Sequence, residues 1–226
     1  MTLRGASDDV MLGVKNFLRS VFPVFLALST AAVAAPVAEW ELGLVLTRNP
    51  DPKEGAALYS TCAACHGTKG EGATDGTVPA IGGQSYTVVA KQIVDFRAGM
   101  RSDPRMEHFT NRQHLSFSQP IADVSMYIAS LPPPAPKAAP PGANTDRGAM
   151  AYARTCARCH GELGEGKEDT LAPRLAGQHY PYILRQLDAA PNAQRKTMAP
   201  SHAGLPKTLA RGELESIAAY LTTLRP

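Results

Sequence analysis

The sequence predicts an all-α protein made of two tandem domains of one fold joined by a Pro-rich linker, and three observations carry that prediction. First, Cys62-Ala63-Ala64-Cys65-His66-Gly67 recurs 94 residues later as Cys156-Ala157-Arg158-Cys159-His160-Gly161. Second, the match continues without a gap, because Pro79, Gly83, Gln84, Tyr86 and Gln92 fall on Pro173, Gly177, Gln178, Tyr180 and Gln186. A fixed period over so long a stretch marks a duplicated structural unit. Third, apolar residues within each half recur at helical spacing, and neither half sustains the period-2 alternation of a half-buried strand.

Taken in order, the chain opens on a basic stretch with Lys15 and Arg19, an apolar run from Val21 to Leu28, and the small residues Ala32-Val33-Ala34. This pattern predicts a secretory signal over 1–34, cleaved after Ala34. The apolar run is well short of the roughly 20 residues a spanning helix needs, which ranks export over an uncleaved anchor. Asp8 and Asp9 suit a signal poorly, so translation from Met11 is an alternative start. In the extension 35–49, Trp40, Leu42, Leu44 and Leu46 recur at every second position, which predicts an extended piece packed on the first domain, with a free docking patch as the alternative.

The first domain, 50–131, carries helical patterns at Gly55–Ser60, at Tyr86–Phe96 and from Ser118, the last with Pro120 in its first turn. Ile121, Val124, Tyr127, Ile128 and Leu131 of that last helix share one apolar face. The second domain, 142–226, repeats the pattern at Arg147–Ala153, at Pro181–Asp188 and from about Thr208. A one-residue shift sets Leu214, Ile217, Tyr220 and Leu224 on the positions of Ile121, Val124, Tyr127 and Leu131. Between them, 132–141 is proline-rich and reads either as a semi-rigid spacer that sets the distance between the domains or as an ordinary surface linker.

Four cysteines in an exported chain would by default make two disulfides. Here all four lie in two CxxC pairs, each followed at once by histidine and glycine. Two thiols at that spacing can add to the two vinyl groups on one edge of a porphyrin, while the next residue turns its imidazole onto the iron. A zinc ribbon would place its pairs about 15 to 20 residues apart, and a thioredoxin-type pair would sit in a βαβ pattern that is absent. Two covalently bound haem c groups are therefore expected, on Cys62 and Cys65 and on Cys156 and Cys159, with His66 and His160 as metal ligands. Aromatic residues make up only 6% of the chain, so each macrocycle would also fill core volume that side chains leave empty.

The sixth ligand decides whether the iron carries electrons or binds a small molecule. Met198 is the only methionine after the second motif and is the candidate there. Met100, Met106 and Met126 follow the first motif, and aligning the middle helices favours Met106. His108, His114, His179 and His202 do not repeat between the halves, which makes each an expected solvated or lightly buried side chain.

These residues resemble a diheme class I c-type cytochrome of the cytochrome c4 type. The likeness rests on the paired CxxCHG motifs, the Pro-x-x-x-Gly-Gln-x-Tyr segment after each, the Asp95-Phe96-x-x-Gly99-x-Arg101 stretch leading to a methionine, and the closing helix with its tyrosine. It implies two tandem class I cytochrome c domains, proximal histidines oriented by the carbonyls of Pro79 and Pro173, and haem propionates contacted by Arg101, Tyr86 and Tyr180. The stretch from Asp188 to Lys196 departs from the pattern by lacking Gly-x-Arg, with Arg195 the substitute for Arg101.

From position 35 onward the chain has 20 basic and 18 acidic residues, and propionates would add about four negative charges, which excludes nucleic acid as a partner. Residues 36–131 carry 8 basic and 10 acidic side chains, and 142–226 carry 11 and 8, so each end suits a different redox protein. The expected function is a periplasmic electron carrier between a donor dehydrogenase or respiratory complex and an acceptor oxidase or reductase, reaching a membrane only through its partners. The alternatives are the cytochrome subunit of a multi-subunit dehydrogenase and, from the enzyme class, a diheme peroxidase.

Overall fold

The structure is a computed structural model that describes residues 30–190 and 195–225. The basic and apolar parts of the expected signal lie outside that range. No residue of the described range belongs to a β-strand, and none of its helices is long and apolar enough to cross a membrane.

In the first domain, α1 (Thr30–Leu46), α2 (Pro52–His66), α3 (Tyr86–Arg97), α4 (Pro104–Thr110) and α5 (Ser118–Ser130) follow in order. The second has α6 (Thr145–Thr155), α7 (Ala157–His160), α8 (Tyr180–Ala189), α9 (Pro200–Ala203), α10 (Leu205–Thr208) and α11 (Arg211–Thr223). Asp51 caps α2 by accepting from Lys53 N and Glu54 N, with Pro52 opening the first turn, and Asn144 accepts from Arg147 N to cap α6.

Both cores are organised by the same close crossing, α2 on α5 in the first domain and α6 on α11 in the second. Gly55 of α2 lies against Asp123 O of α5, and Gly148 of α6 against Ser216 O of α11, so near that an added Cβ would fall 2.1 and 2.0 Å from those oxygens. Tyr59 and Tyr127 stack beside the first crossing at 5.2 Å, Tyr152 and Tyr220 beside the second at 5.8 Å. Ile121, Val124 and Ile128 fill the first core, and Leu214, Ile217 and Leu221 the second.

The extension does not form the extended piece that alternation predicted. It is the helix α1, which runs through the expected cleavage point after Ala34 and turns Ala38, Glu41 and Val45 inward at helical spacing. The alternating apolar residues are split by this geometry, leaving Trp40 63% exposed. Buried Glu41 pairs with buried Arg97 of α3 at 2.6 Å, and the same guanidinium donates to Thr110 O and Leu115 O. That pair is hydrogen-bonded on both sides, as a buried charge requires.

The linker is held down over residues 132–137. Pro132 and Pro133 lie against Gly82 and Gly83, Pro134 against Gly177, and Lys137 donates its backbone N–H to Thr222 O and its ammonium to Gly177 O. Gly83 and Gly177 have φ of +65° and +72°, so the repeated glycine supplies both a left-handed backbone and the space in which the linker passes.

Candidate haem sites and the seam between them

Each CxxCH motif ends a helix of its own domain. Cys62 and Cys156 are half-buried against their cores, Cys65 and Cys159 are exposed, and all four thiols are free. Burial, aided by Cys159, pushes the Cys156 thiol up to about 11, and burial raises Cys62 as well. A dithiol redox pair needs the opposite shift. Among the described residues no group of three or more His, Cys, Asp or Glu is arranged to hold a metal ion.

The loop after each motif is the same construction twice. Gly67 and Gly161 take φ of +77° and +84° and turn the chain sharply after the histidine. Gly72 N and Gly166 N return to the His66 and His160 carbonyls, both at 2.8 Å. Tyr59 and Tyr152 donate their hydroxyls to Gly67 O and Gly161 O at 2.7 and 2.6 Å, and burial raises both tyrosines far above the usual range, so they remain donors.

These loops carry Pro79 O to 3.0 Å from His66 Nδ1 and Pro173 O to 2.8 Å from His160 Nδ1. With Nδ1 donating to a carbonyl, Nε2 keeps its lone pair and the ring direction is set. Burial lowers both histidines, favouring the neutral imidazole that iron requires. Paired free thiols beside an oriented, neutral imidazole fit covalent haem at both sites.

In the first domain Met106 is half-buried in α4, whose first turn is capped by Asp103. Met100 is buried in the core, and Met126 belongs to α5. In the second domain Met198 lies two residues before α9, with its N–H on Arg195 O.

Tyr86, which the resemblance assigns to a propionate, donates its hydroxyl to Val45 O of α1 at 3.1 Å. Tyr180 packs against the second core. Arg101 lies at the junction of the domains, where it donates to Gln92 Oε1 at 2.6 Å, Tyr182 Oη at 2.6 Å and Gln186 Oε1 at 3.4 Å. Arg195 mirrors it, donating to Gln186 Oε1 and Gln92 Oε1, both at 3.0 Å, and the two arginines form an antiparallel backbone bridge. Burial and then the Arg101 guanidinium lower Arg195 to about 10.

The sequence had also shown the repeated Gln84 and Gln178 without assigning them work. Gln84 accepts from Arg174 N at 2.7 Å and donates to Arg174 O at 3.1 Å, while Gln178 accepts from Ala80 N at 3.0 Å and donates to Ala80 O at 2.8 Å. Each glutamine thus clamps the residue after the other domain's motif proline. Their recurrence was the available signal, but a repeat alone cannot say that two copies face each other.

One histidine, His179, departs from the expected solvated or lightly buried state, and His202 is half-buried. His179 is 2% exposed and crosses the seam, with Nε2 2.8 Å from Glu71 O. His202 of α9 stands over His160, ring centres 5.9 Å apart and planes at 82°. His108 and His114 are exposed and pack with Phe109.

Comparison with known proteins matches the family model "Cytochrome c" at residues 52–132 and again at 145–225. Cytochrome c4 of Azotobacter vinelandii is 30% identical over 149 residues, 61% of this chain and 70% of its own length. The thiosulfate dehydrogenase electron acceptor of Stutzerimonas stutzeri strain A1501 is 27% identical over 203 residues, 80% of this chain and 91% of its own. The crystal structure of reduced recombinant cytochrome c4 from Pseudomonas stutzeri superposes with a TM-score of 0.68 at 23% identity, covering 78% of this chain and all of that one, which supports the shared fold. Two family domains, each with a CxxCH site built to take covalent haem c, make this chain a member of the cytochrome c family, a cytochrome c4-like diheme electron-transfer protein.

Proposed function

We propose that this chain is an exported, periplasmic relay that takes electrons from a dehydrogenase or respiratory complex at one domain and yields them from the other to an oxidase or reductase. The observation that carries the reading is the pair of equivalent His–Pro sites joined by reciprocal glutamine clamps. Haem supplies one-electron redox chemistry when bound. The chain's own residues do the rest.

Cys62, Cys65, Cys156 and Cys159 anchor the groups, and His66 and His160 present Nε2 with Nδ1 held by Pro79 and Pro173. Met106 of α4 would complete the ligation of the first haem iron and Met198 that of the second. Tyr180 and Arg101 are assigned to propionates. Haem held by these ligands would supply outer-sphere electron transfer, with no bond made to a substrate. Carbon monoxide added to the reduced protein at neutral pH is expected to leave both haems unchanged, whereas rapid stoichiometric binding at one haem would overturn the carrier in favour of a peroxidase.

A second reading is supported by the likeness to a thiosulfate dehydrogenase electron acceptor. Here the donor is a sulfur-compound dehydrogenase and the chain is its cytochrome subunit. Co-purification with a catalytic chain, and its reduction of this protein in the presence of thiosulfate, would support that assignment. Reduction rates that do not vary with ionic strength would remove charge asymmetry between the domains as the basis of partner choice.

A further inference from the structure

We infer that the first domain positions the sixth ligand of the second haem: the segment that delivers Met198 is held across the seam by Asp95, Gly99 and Met100, so the second site is completed in trans while the first completes itself. This rests on the reading that Met106 and Met198 ligate the two irons, and it says what places the second of them.

The two methionines are approached by different routes. Arg101 and Arg195 occupy the same place in the repeat, but Met106 follows five residues after the first and Met198 only three after the second. The shorter route has no counterpart of Asp103-Pro104, the pair that opens α4. In the first domain Asp103 Oδ1 accepts from Arg105 N at 3.0 Å and from Met106 N at 3.4 Å, and Thr110 Oγ1 donates to Met106 O at 2.7 Å. Met106 is thus fixed by a capped helix of its own domain. Met198 precedes α9, and the N-terminus of α9 has no side-chain cap bond.

The contacts that replace the cap come from the other domain. Thr197 Oγ1 donates to Asp95 Oδ2 at 2.6 Å, Lys196 N to Met100 O at 2.9 Å and Lys196 Nζ to Gly99 O at 3.3 Å. The backbones of Arg195 and Arg101 bridge, and Arg195 Nη2 donates to Gln92 Oε1 at 3.0 Å. From its own domain the segment takes Gln186 Oε1, 3.0 Å from Arg195 Nη1, and Met198 N turns back to Arg195 O at 3.1 Å. The three successive residues before the ligand are therefore tied to α3 and to the turn that follows it.

Asp95 anchors both parts of this contact. It is 2% exposed, and its carbonyl accepts from Met100 N at 2.8 Å and Arg101 N at 3.1 Å, which sets the turn that meets Lys196. Its carboxylate takes the Lys91 ammonium and the Thr197 hydroxyl on one oxygen. A charged acceptor makes the stronger kind of hydrogen bond. The repeat puts Ala189 at the position of Asp95, with no side-chain acceptor to offer in return. The support runs one way, and the first domain governs the ligation of both irons.

The test uses the full haem-loaded chain, with the far-red thioether-to-ferric charge-transfer band, the two potentials and carbon monoxide association with the reduced protein as readouts. Thr197→Val removes the hydroxyl at nearly constant volume. It is expected to raise the rate of carbon monoxide binding at one haem about tenfold, as loss of a hydrogen bond to a charged acceptor implies. The band weakens and one potential falls, because a less firmly held thioether stabilises ferrous iron less. The other haem stays as in wild type, and Thr197→Ser, which keeps the donor, restores wild-type values. Met198→Leu identifies the affected haem, since it lowers the same potential and removes the same part of the band. Asp95→Ala, a change in the first domain, reproduces the Thr197→Val effect on that haem, and the double variant adds nothing beyond the larger single effect. A Thr197→Val protein that matches wild type, one altered equally at both haems, or one that Thr197→Ser equals in its losses would overturn positioning in trans. So would additive effects of Asp95→Ala and Thr197→Val. A Met198→Leu protein with unchanged band and potentials instead breaks the ligand assignment itself, so the two failures are told apart. Should Asp95→Ala not fold, the two Thr197 variants still decide the matter.

Discussion

The smallest parts with a single purpose are the glycines after each histidine. At Gly161, φ +84° and ψ 160° lie in a region that L side chains essentially do not adopt, and an added Cβ would fall 2.1 Å from the Glu165 carboxyl carbon. Gly161→Ala is expected to cost about 1–3 kcal/mol, read as a lower denaturation midpoint of the haem-loaded protein. An unchanged midpoint would mean that the turn is not held by the backbone. His66 and His160 show the complementary point, since the same motif letters leave open which carbonyl meets Nδ1, and only the returning loop brings Pro79 and Pro173 to them.

Among elements, the crossing of first helix on last fixes the platform for each motif. A Cβ added at Gly148 would fall 2.0 Å from Ser216 O, a backbone atom that cannot swing aside. Gly148→Ala is expected to destabilise the second domain by about 1–3 kcal/mol through overpacking, seen in calorimetry as an earlier transition of that domain with the first unchanged. Simultaneous loss in both domains would show that they unfold as one unit. The main helices were legible because apolar spacing and N-terminal prolines mark them locally. Helix α1 was not, because Trp40, Leu42, Leu44 and Leu46 satisfy a strand's alternation as well, and only burial of Glu41 with Arg97 selects the helix.

For the whole molecule, the seam makes two domains one relay, and His179 is its titratable member. Burial first, then the Lys137 ammonium, lowers His179 below its ordinary 6.5, while its bond to Glu71 O and the charge of Asp75 oppose this less strongly. The unfolded state therefore binds more protons than the folded state between 6.5 and the lowered folded value, so stability falls as pH drops through that window and levels off beneath it. His179→Gln should flatten this part of the pH–stability curve, measured by denaturant titration against wild type. An unaltered slope would move the effect to another group.

The sequence by itself determined the cofactor, its covalent anchors and the duplication, because CxxCH and a 94-residue period are local chemical signatures. Only the tertiary structure decided that the repeated glutamines clamp opposite domains, that the linker is held over glycines and that His179 crosses the seam. Each of those depends on which of two distant segments come together, and the physical reason is that burial and hydrogen-bond satisfaction are properties of the assembled chain, while spacing is a property of the string.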